Sequence, residues 1–84
     1  AGPALESLRR AVFLDPANPL GHFALARASL LSDEKERART ALLQARRLLA
    51  HIDDEREIPG GHRVVASELR QAVEAQLAAL RAAR

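Results

Sequence analysis

Apolar residues recur every three or four positions along most of the chain, which is the spacing of amphipathic helices rather than the alternation of strands. The pattern predicts four helices, over residues 3–14, 19–31, 34–52 and 64–83. The second helix is apolar on nearly every side, which indicates a helix packed between two neighbours. The other three carry one apolar stripe each and charged residues elsewhere. The expected fold class is therefore all-α.

Cap and turn residues mark where these helices begin and end. Asn18 precedes Pro19, and an asparagine cap followed by proline is a strong signal for a helix start. Asp33 and Glu36 have the spacing of a capping box, so we expect Asp33 to cap the third helix and Glu36 to reach back to it. Residues 53–62 contain four acidic side chains together with a proline and two glycines, which predicts a polar loop before the last helix.

Composition supports the all-α assignment and narrows the function. Alanine and leucine, which favour helices, supply most of the 48% apolar content, and Phe13 and Phe23 are the only aromatic residues. The 84 residues allow one compact domain. The net charge of +2 is too small to favour nucleic-acid binding through its electric field alone.

The sequence carries no signal that would direct it out of the cytoplasm. The chain has no cysteine and therefore no disulfide framework. No segment approaches the roughly 20 apolar residues of a membrane-spanning helix, and the N-terminus does not resemble a signal peptide. We expect a cytoplasmic protein without membrane insertion. Because the sequence begins Ala-Gly-Pro without methionine, we also expect it to be cut from a longer protein.

Three histidines, His22, His51 and His62, raise the question of a metal site. Their spacing matches no common ligand pattern, such as two histidines one helical turn apart, so packed or exposed histidines are favoured. Residues 59–62 precede a helix, but no lysine of a phosphate-binding loop follows them, and an ordinary turn is favoured. No pair of acidic residues converges for acid–base chemistry. We therefore predict a chain that is not an enzyme and holds no metal or cofactor.

Arginines are spread along the first and third helices, at positions 9, 10, 37, 39, 46 and 47. Glutamates alternate with them and no exposed aromatic residues lie between them for base stacking, which favours a solvated outer face over a nucleic-acid site. We predict no nucleic-acid partner. A nucleic-acid-associated helical adaptor stays as a third alternative, which the salt dependence of DNA binding would test.

The chain also repeats itself at an offset of 34 residues, which places the third helix on the first. The offset equals the length of a known helical repeat, and the coincident residues follow its order of small and large side chains. The coincident pairs are Ala4 and Ala38, Leu8 and Leu42, Ala11 and Ala45, and Leu14 and Leu48.

This pattern resembles the tetratricopeptide repeat, which is a pair of antiparallel helices. The second-helix pattern of small, large and small residues followed by proline is present as Ala4, Leu8, Ala11 and Pro16. In the next copy Ala50 stands where the proline would be. The first-helix pattern is matched less well, because both of its aromatic positions hold other residues, His22 and Ser29.

The resemblance implies one helical-repeat domain over residues 1–84, an α-solenoid fragment built from antiparallel helix pairs. Residues 3–16 would be the second helix of a partial repeat, and residues 19–52 one complete repeat. Residues 53–62 would be a loop, and residues 63–84 a capping helix that covers the open end of the stack. The first half of the first repeat is not in the sequence, which again leads us to expect a fragment.

A narrower resemblance covers almost the whole chain. The segments ALESLRRAVFLDP, HFALA, ERARTALLQARRLLA and SELRQAVEAQL look like the tetratricopeptide region that follows the catalytic domain in some CheR-type chemoreceptor methyltransferases. The resemblance implies a bacterial, cytoplasmic signalling role, in which an upstream domain would use S-adenosylmethionine to methylate receptor glutamates. This region would adjust the choice of partner or site and would not itself bind the cofactor.

Position in the repeat predicts which residues bind a partner. In tetratricopeptide stacks the first helices of successive pairs line a concave groove, and the candidates here are Leu20, Phe23, Arg27, Leu30 and Leu31. Phe23 and Arg27 are one turn apart, so they could anchor a peptide and pair with its carboxylate. The alternative, that Phe23 packs against the fourth helix and Arg27 is solvated, stays open. The expected partner is a protein, such as a chemoreceptor or another signalling protein.

The first helix leads to a second hypothesis about function. Its apolar face, formed by Leu5, Leu8 and Val12, would lack a partner in a fragment, and leaving a leucine exposed forfeits roughly 1.5–3 kcal/mol. We therefore predict a homo-oligomer formed through these residues. The alternative function is accordingly a structural or self-associating helical domain without a peptide ligand.

Overall fold

The computed structural model describes residues 2–60 and 63–82, with side chains from residue 5 onward. Its four helices are α1 Gly2–Leu14, α2 Pro19–Leu31, α3 Lys35–Leu49 and α4 Ala66–Ala82. Between α3 and α4 lie two short strands, β1 Glu57–Ile58 and β2 Val64–Val65, which pair antiparallel. Helices make up most of the described residues, so the all-α prediction is confirmed. The strand pair is an addition that the apolar pattern did not predict.

The helices pack on one another in chain order. α1 packs along α2, α2 packs most extensively against α3, and α3 packs against α4. The molecule measures 32 × 29 × 18 Å. Because a helix with its side chains is about 10 Å across, the smallest extent corresponds to two layers of helices. α2 lies between α1 and α3, which confirms the packing expected from its apolar residues.

The main core is formed by α2, α3, α4 and β1. Leu42 and Leu49 of α3 and Val73 of α4 are its largest fully buried apolar side chains. The alanines of α3 keep its buried face flat, and neighbouring helices approach more closely where the side chains between them are small. The other members of this core cluster are Ala26, Ala38, Ala41, Ala45, Ile58, Ala66, Leu69, Leu77 and Leu80.

Asn18 organises the turn between α1 and α2. Its Oδ1 accepts a hydrogen bond from the Leu20 backbone N–H at 2.9 Å, which confirms the predicted cap with Pro19 in the first turn of the helix. Its Nδ2 donates to the carbonyl oxygen of Pro59 at 2.9 Å. One side chain therefore caps α2 and also ties the end of β1 to the turn.

The capping box predicted for α3 is wrong. Asp33 has a positive φ of 60° and closes the C-terminus of α2, where its N–H donates to the Leu30 carbonyl oxygen at 3.1 Å. The N–H of Glu34 donates to the Ser29 carbonyl oxygen at 2.8 Å, which completes a Schellman closure. Because Asp33 is used in this way, Glu34 occupies the cap position of α3, and it makes no side-chain cap bond.

α3 ends at Leu49 rather than at residue 52, and Arg70 of α4 binds carbonyl groups at and just beyond this end. The Arg70 guanidinium donates to the Leu49 carbonyl oxygen at 2.8 Å and to the Ile52 carbonyl oxygen at 3.3 Å. It also pairs with the carboxylate of Asp54. A cation at this position satisfies free carbonyl groups and opposes the negative end of the helix dipole.

α4 begins at Ala66 rather than at residue 64, because Val64 and Val65 form β2. In the strand pair, Ile58 lies opposite Val64 and is buried in the core. The backbone N–H of Val65 donates to Glu68 Oε1 at 3.1 Å. Glu68 thus supplies the carboxylate that a capping box places three residues after the cap.

The described part of the acidic segment, residues 53–60, is joined to α4 by backbone hydrogen bonds. The N–H groups of Ala66 and Ser67, in the first turn of α4, donate to the carbonyl oxygens of Arg56 and Asp54 at 2.9 and 3.0 Å. Helix N-termini carry N–H groups without partners inside the helix, so these bonds fasten α4 to the segment before it.

Some of the sequence-based predictions lie outside the described residues. They are the ordinary turn expected at Gly61 and His62, the expectation that His62 is packed or exposed rather than a metal ligand, and the end of the last helix at Ala83. The side chain of Ala4, one member of the repeat pattern, also lies outside them.

Candidate protein-binding surfaces

The predicted binding residues on α2 divide into covered and exposed side chains. Leu20 lies against the backbone of Gly60, since a Cβ atom added at Gly60 would overlap Leu20 Cδ2. Phe23 and Leu30 are half-buried and pack against the core cluster. Much of the surface of these three side chains is therefore buried by contacts within the chain.

Arg27 and Leu31 are the exposed part of the same set. Leu31 is 90% exposed, and no ion pair within residues 2–60 and 63–82 includes Arg27. One exposed leucine is common on protein surfaces and does not define a site. Partner binding by this α2 surface stays a prediction.

The residues predicted for self-association lie on the side of α1 that packs along α2. Leu5 is buried, while Leu8 and Val12 are half-buried. The exposed apolar residues of α1 are instead Phe13, at 82%, and Leu14, at 74%. Self-association through Leu5, Leu8 and Val12 stays a prediction.

A groove of about 540 Å³ runs between α1 and α3 across α2, and we call it the His22 groove. Val12, Leu25 and Ala41 give it apolar walls. The imidazole Nε2 of His22 donates to the carbonyl oxygen of Pro16 at 2.8 Å, and the side chain is buried. His22 is therefore held by the fold. The polar and charged lining residues are Arg9, Ser29, Glu36, Arg37, Thr40 and Gln44.

Ion pairs join the two sides of this groove. Glu34, at the start of α3, pairs with Arg37 at 3.2 Å and with Arg9 of α1 at 3.9 Å. Arg9 also pairs with Glu6 at 3.4 Å. These side chains are one-third exposed or more, and such exposed pairs contribute only about 0–1 kcal/mol. They orient the rim of the groove more than they stabilise the fold.

A second groove, of about 620 Å³, lies between α3 and α4, and we call it the basic groove. Its floor is formed by three leucines, of which Leu43 is 41% exposed and Leu77 and Leu80 are buried. Its charged lining residues are Lys35, Glu36, Arg39, Arg46 and Arg81.

Sequence reasoning missed the basic groove, because it assigned the arginines of α3 to a solvated face. A signal was present in the spacing of Lys35, Arg39, Leu43 and Arg46, which recur every three or four residues along α3. That spacing makes a stripe beside the buried one, but it does not show that α4 forms the second wall.

The possibility of a metal centre can be checked among the residues that the structure describes. In that part of the chain no three or more histidine, cysteine, aspartate or glutamate side chains cluster where a metal could bind. His51 is exposed. Of the helices found in residues 2–60 and 63–82, none is both long enough and apolar enough to cross a bilayer.

Comparison with known proteins leaves the family open. The chain matches no protein-family model, no characterised protein and no solved structure.

Proposed function

We propose that this chain is a helical-repeat module that binds other proteins. The observation that carries the proposal is the His22 groove, where α1 and α3 lie on the same side of α2 and leave an apolar channel with a charged rim open to solvent. Binding sites for peptides commonly combine an apolar groove with a few polar groups that fix orientation.

The arrangement of α1 and α3 also supports a repeat architecture. The two helices are related by the offset of 34 residues, both pack on α2, and Arg9 of α1 reaches Glu34 at the start of α3. In a solenoid each unit contacts its neighbours in chain order and leaves an extended surface for partners. On this proposal the helix pairs are tetratricopeptide repeats and α4 is the capping helix.

The finer part of the proposal concerns the parent protein. The sequence resemblance to the region after the catalytic domain of CheR-type methyltransferases supports a regulatory tail in a bacterial, cytoplasmic chemotaxis protein. Its partner would then be a chemoreceptor or another signalling protein. The chain itself would hold no cofactor and carry out no catalysis.

Peptide selection tests the module directly. The chain is immobilised and used to select from a display library of random helical peptides, and enriched peptides are measured against two variants. Thr40→Arg places a large cation in the His22 groove, while Ser7→Arg makes a similar change at an exposed site on α1 that does not line it.

We expect enriched peptides that lose at least about tenfold in affinity, or about 1.4 kcal/mol, with Thr40→Arg and bind Ser7→Arg unchanged. A third variant, Phe23→Ala with Arg27→Glu, tests the α2 surface. If only this variant lost binding, the chain would still be a protein-binding module, but its binding site would be the α2 surface rather than the His22 groove. Failure to enrich any peptide above background would count against the proposal.

Exposed apolar residues on α1 favour self-association as a second candidate function. Phe13 is 82% exposed, and helical spacing places it off the stripe of Leu5, Leu8 and Val12 that packs along α2. Analytical ultracentrifugation is expected to show a concentration-dependent dimer that Phe13→Asp abolishes. A monomer at every concentration up to about 1 mM, where even a contact of about −4 kcal/mol would be half-formed, would remove this candidate.

A further inference from the structure

The basic groove concentrates the positive charge of the chain. Its rim carries four cations, Lys35, Arg39, Arg46 and Arg81. Two carboxylates oppose them, since Glu36 lies 3.9 Å from Arg39 and Glu74 lies 3.4 Å from Arg46. Four positive and two negative charges leave an excess of two, which equals the net charge of the whole chain. The other residues hold nine cationic and nine acidic side chains and carry no net charge, whereas the groove has an excess of positive charge that attracts acidic groups.

The ion pairs at the rim leave the groove accessible. The Arg39 and Arg46 side chains remain 46% and 45% exposed, and within the described residues no ion pair includes Lys35 or Arg81. Exposed pairs of this kind are weak, so a partner carboxylate could replace Glu36 or Glu74 at little cost.

The floor adds an apolar component that a simple cation patch would lack. Leu43 lies between Arg39 and Arg46 in the sequence of α3 and is 41% exposed. It is not one of the buried core residues, so part of its apolar surface is available to a partner. Lys35, Arg39 and Leu43 follow at intervals of four residues, so their points of attachment are about 6 Å apart along α3. A helix laid beside α3 presents its own side chains at the same interval.

We propose that the basic groove binds an acidic amphipathic helix of a partner protein. The apolar face of that helix would cover Leu43, and aspartate or glutamate residues on its flanks would pair with the four cations. This inference rests on the proposed function and deepens it by naming the chemistry of the partner. Helices that bind in grooves use apolar anchors one turn apart, while complementary charge steers the encounter.

Other occupants fit the groove less well. A second copy of this chain could offer its acidic segment 53–57, but the apolar residues beside that segment, Ile52 and Ile58, are half-buried and buried. Single-stranded nucleic acid is usually held by aromatic stacking, and the floor is leucine. A flat bilayer cannot reach Leu77 and Leu80, which are buried beneath the charged rim.

Designed peptides provide the test. The probe is a fluorescent peptide of about four helical turns, or about 16 residues, with leucines on one face and glutamates on both flanks. One control peptide has the same composition in scrambled order, and another has lysine in place of glutamate. Binding to the whole chain is followed by fluorescence anisotropy, with DNA and anionic vesicles measured in parallel.

Two matched pairs of variants locate the site. Arg39→Glu with Arg81→Glu reverses the rim, while Arg10→Glu with Arg47→Glu makes the same change in net charge at exposed positions outside the groove. Leu43→Ser removes the apolar anchor, and Leu14→Ser removes a leucine of α1 that is 74% exposed and does not line the groove. Circular dichroism confirms that each variant is folded. If a charge variant unfolds, the pair of leucine variants still tests the site.

We expect a dissociation constant in the micromolar range for the acidic helix, since the groove is small for a stable interface. The rim variant and Leu43→Ser should each weaken it at least about tenfold, and their controls should not. Raising the ionic strength from about 0.1 to 1 M, which shortens the Debye length from about 10 to 3 Å, should weaken it further.

The inference would be overturned by no binding up to about 1 mM, by equal binding of the scrambled peptide, or by equal effects of the two members of either variant pair. Tighter binding to DNA or vesicles than to the peptide would overturn it as well. Peptides selected for the His22 groove are measured on the same variants, and they distinguish a failure of this inference from a failure of the proposed function. If they bind while the acidic helix does not, the module stands and only this inference is lost.

Discussion

α1 and α3 have the same pattern of small and large residues but very different burial. Leu42 of α3 is fully buried, whereas Leu8 at the equivalent position of α1 is half-buried. Ala45 is fully buried and its counterpart Ala11 is exposed. The pattern therefore identifies which face of a helix is apolar, and the number of neighbouring helices decides how much of that face is covered.

The neighbours of the two helices explain the difference. α3 packs against α2 on one side and α4 on the other, while the packing of α1 within the described residues is against α2. At the ends of these helices, Leu14 of α1 is 74% exposed, whereas Leu48 of α3 is half-buried. α1 is thus an outer helix with surface still available, and α3 is the centre of the core.

The ends of the two helices show the same contrast. In each case the following helix supplies one side chain that holds the backbone beyond the end. His22 of α2 donates to the Pro16 carbonyl oxygen, while Arg70 of α4 donates to Leu49 and Ile52 and pairs with Asp54. The stronger and more numerous bonds are again at α3.

The largest expected effect comes from leucine truncation at equivalent positions. Leu42→Ala removes a fully buried side chain and should lower the free energy of unfolding by about 2–5 kcal/mol, as such cavities do. Leu8→Ala should cost about 1 kcal/mol, because part of that side chain is already in water. Urea denaturation followed by circular dichroism measures both. Equal losses would mean that α1 and α3 are covered alike.

Enlarging the equivalent alanines gives the next largest difference. Ala45→Leu forces extra volume into a filled interface and should destabilise the chain by about 1–3 kcal/mol. Ala11→Leu projects into solvent and should change stability by less than about 0.5 kcal/mol. The same denaturation experiment distinguishes them, and tolerance of leucine at position 45 would contradict the packing described for α3.

The two end contacts are expected to differ less. Arg70→Met removes charge-assisted hydrogen bonds at the end of α3 and should cost about 1–2 kcal/mol, while His22→Phe loses one hydrogen bond and should cost about 1 kcal/mol. Arg47→Met, at an exposed position of α3, is the control and should be nearly neutral. If Arg70→Met lowers stability no more than the control does, the hydrogen bonds of Arg70 around Leu49 do not stabilise the fold.

Asn18 allows the smallest comparison, between two functions of one side chain. Asn18→Ala removes both the α2 cap and the bond to Pro59 and should cost about 1 kcal/mol or slightly more. Asn18→Asp keeps an acceptor for the cap but loses the donor to Pro59, so it should cost a few tenths of a kcal/mol. Thermal unfolding ranks the two variants. A loss for aspartate as large as that for alanine would show that the long-range bond, rather than the cap, accounts for the effect.

Much of the local structure could be predicted from the sequence because its causes are local. The apolar spacing predicts the helices, and the Asn18-Pro19 pair predicts the start of α2. The wrong cap at Asp33 shows the limit, since one residue can serve only one of two adjoining helix ends. The sequence pattern could not show that Asp33 would close the C-terminus of α2 instead of capping α3.

Features that depend on distant residues were not predictable in this way. The Arg70 contacts join α4 to the end of α3, and Pro59 accepts from a side chain 41 residues away. β1 and β2 are two residues each, too short to show strand alternation. The basic groove likewise depends on the packing of α4 against α3. The charged residues of α3 alone predicted only a solvated face.

The central claim is that solvent-open grooves between the helices bind protein partners, and nuclear magnetic resonance titration tests it most directly. The ¹⁵N-labelled chain is titrated with peptides enriched by selection, and backbone amide shifts are mapped residue by residue. The account predicts saturable shifts confined to the walls of one groove, such as those around Leu25, Thr40 and Gln44, that disappear in Thr40→Arg. Shifts scattered over the surface, or none at peptide concentrations up to about 1 mM, would contradict it.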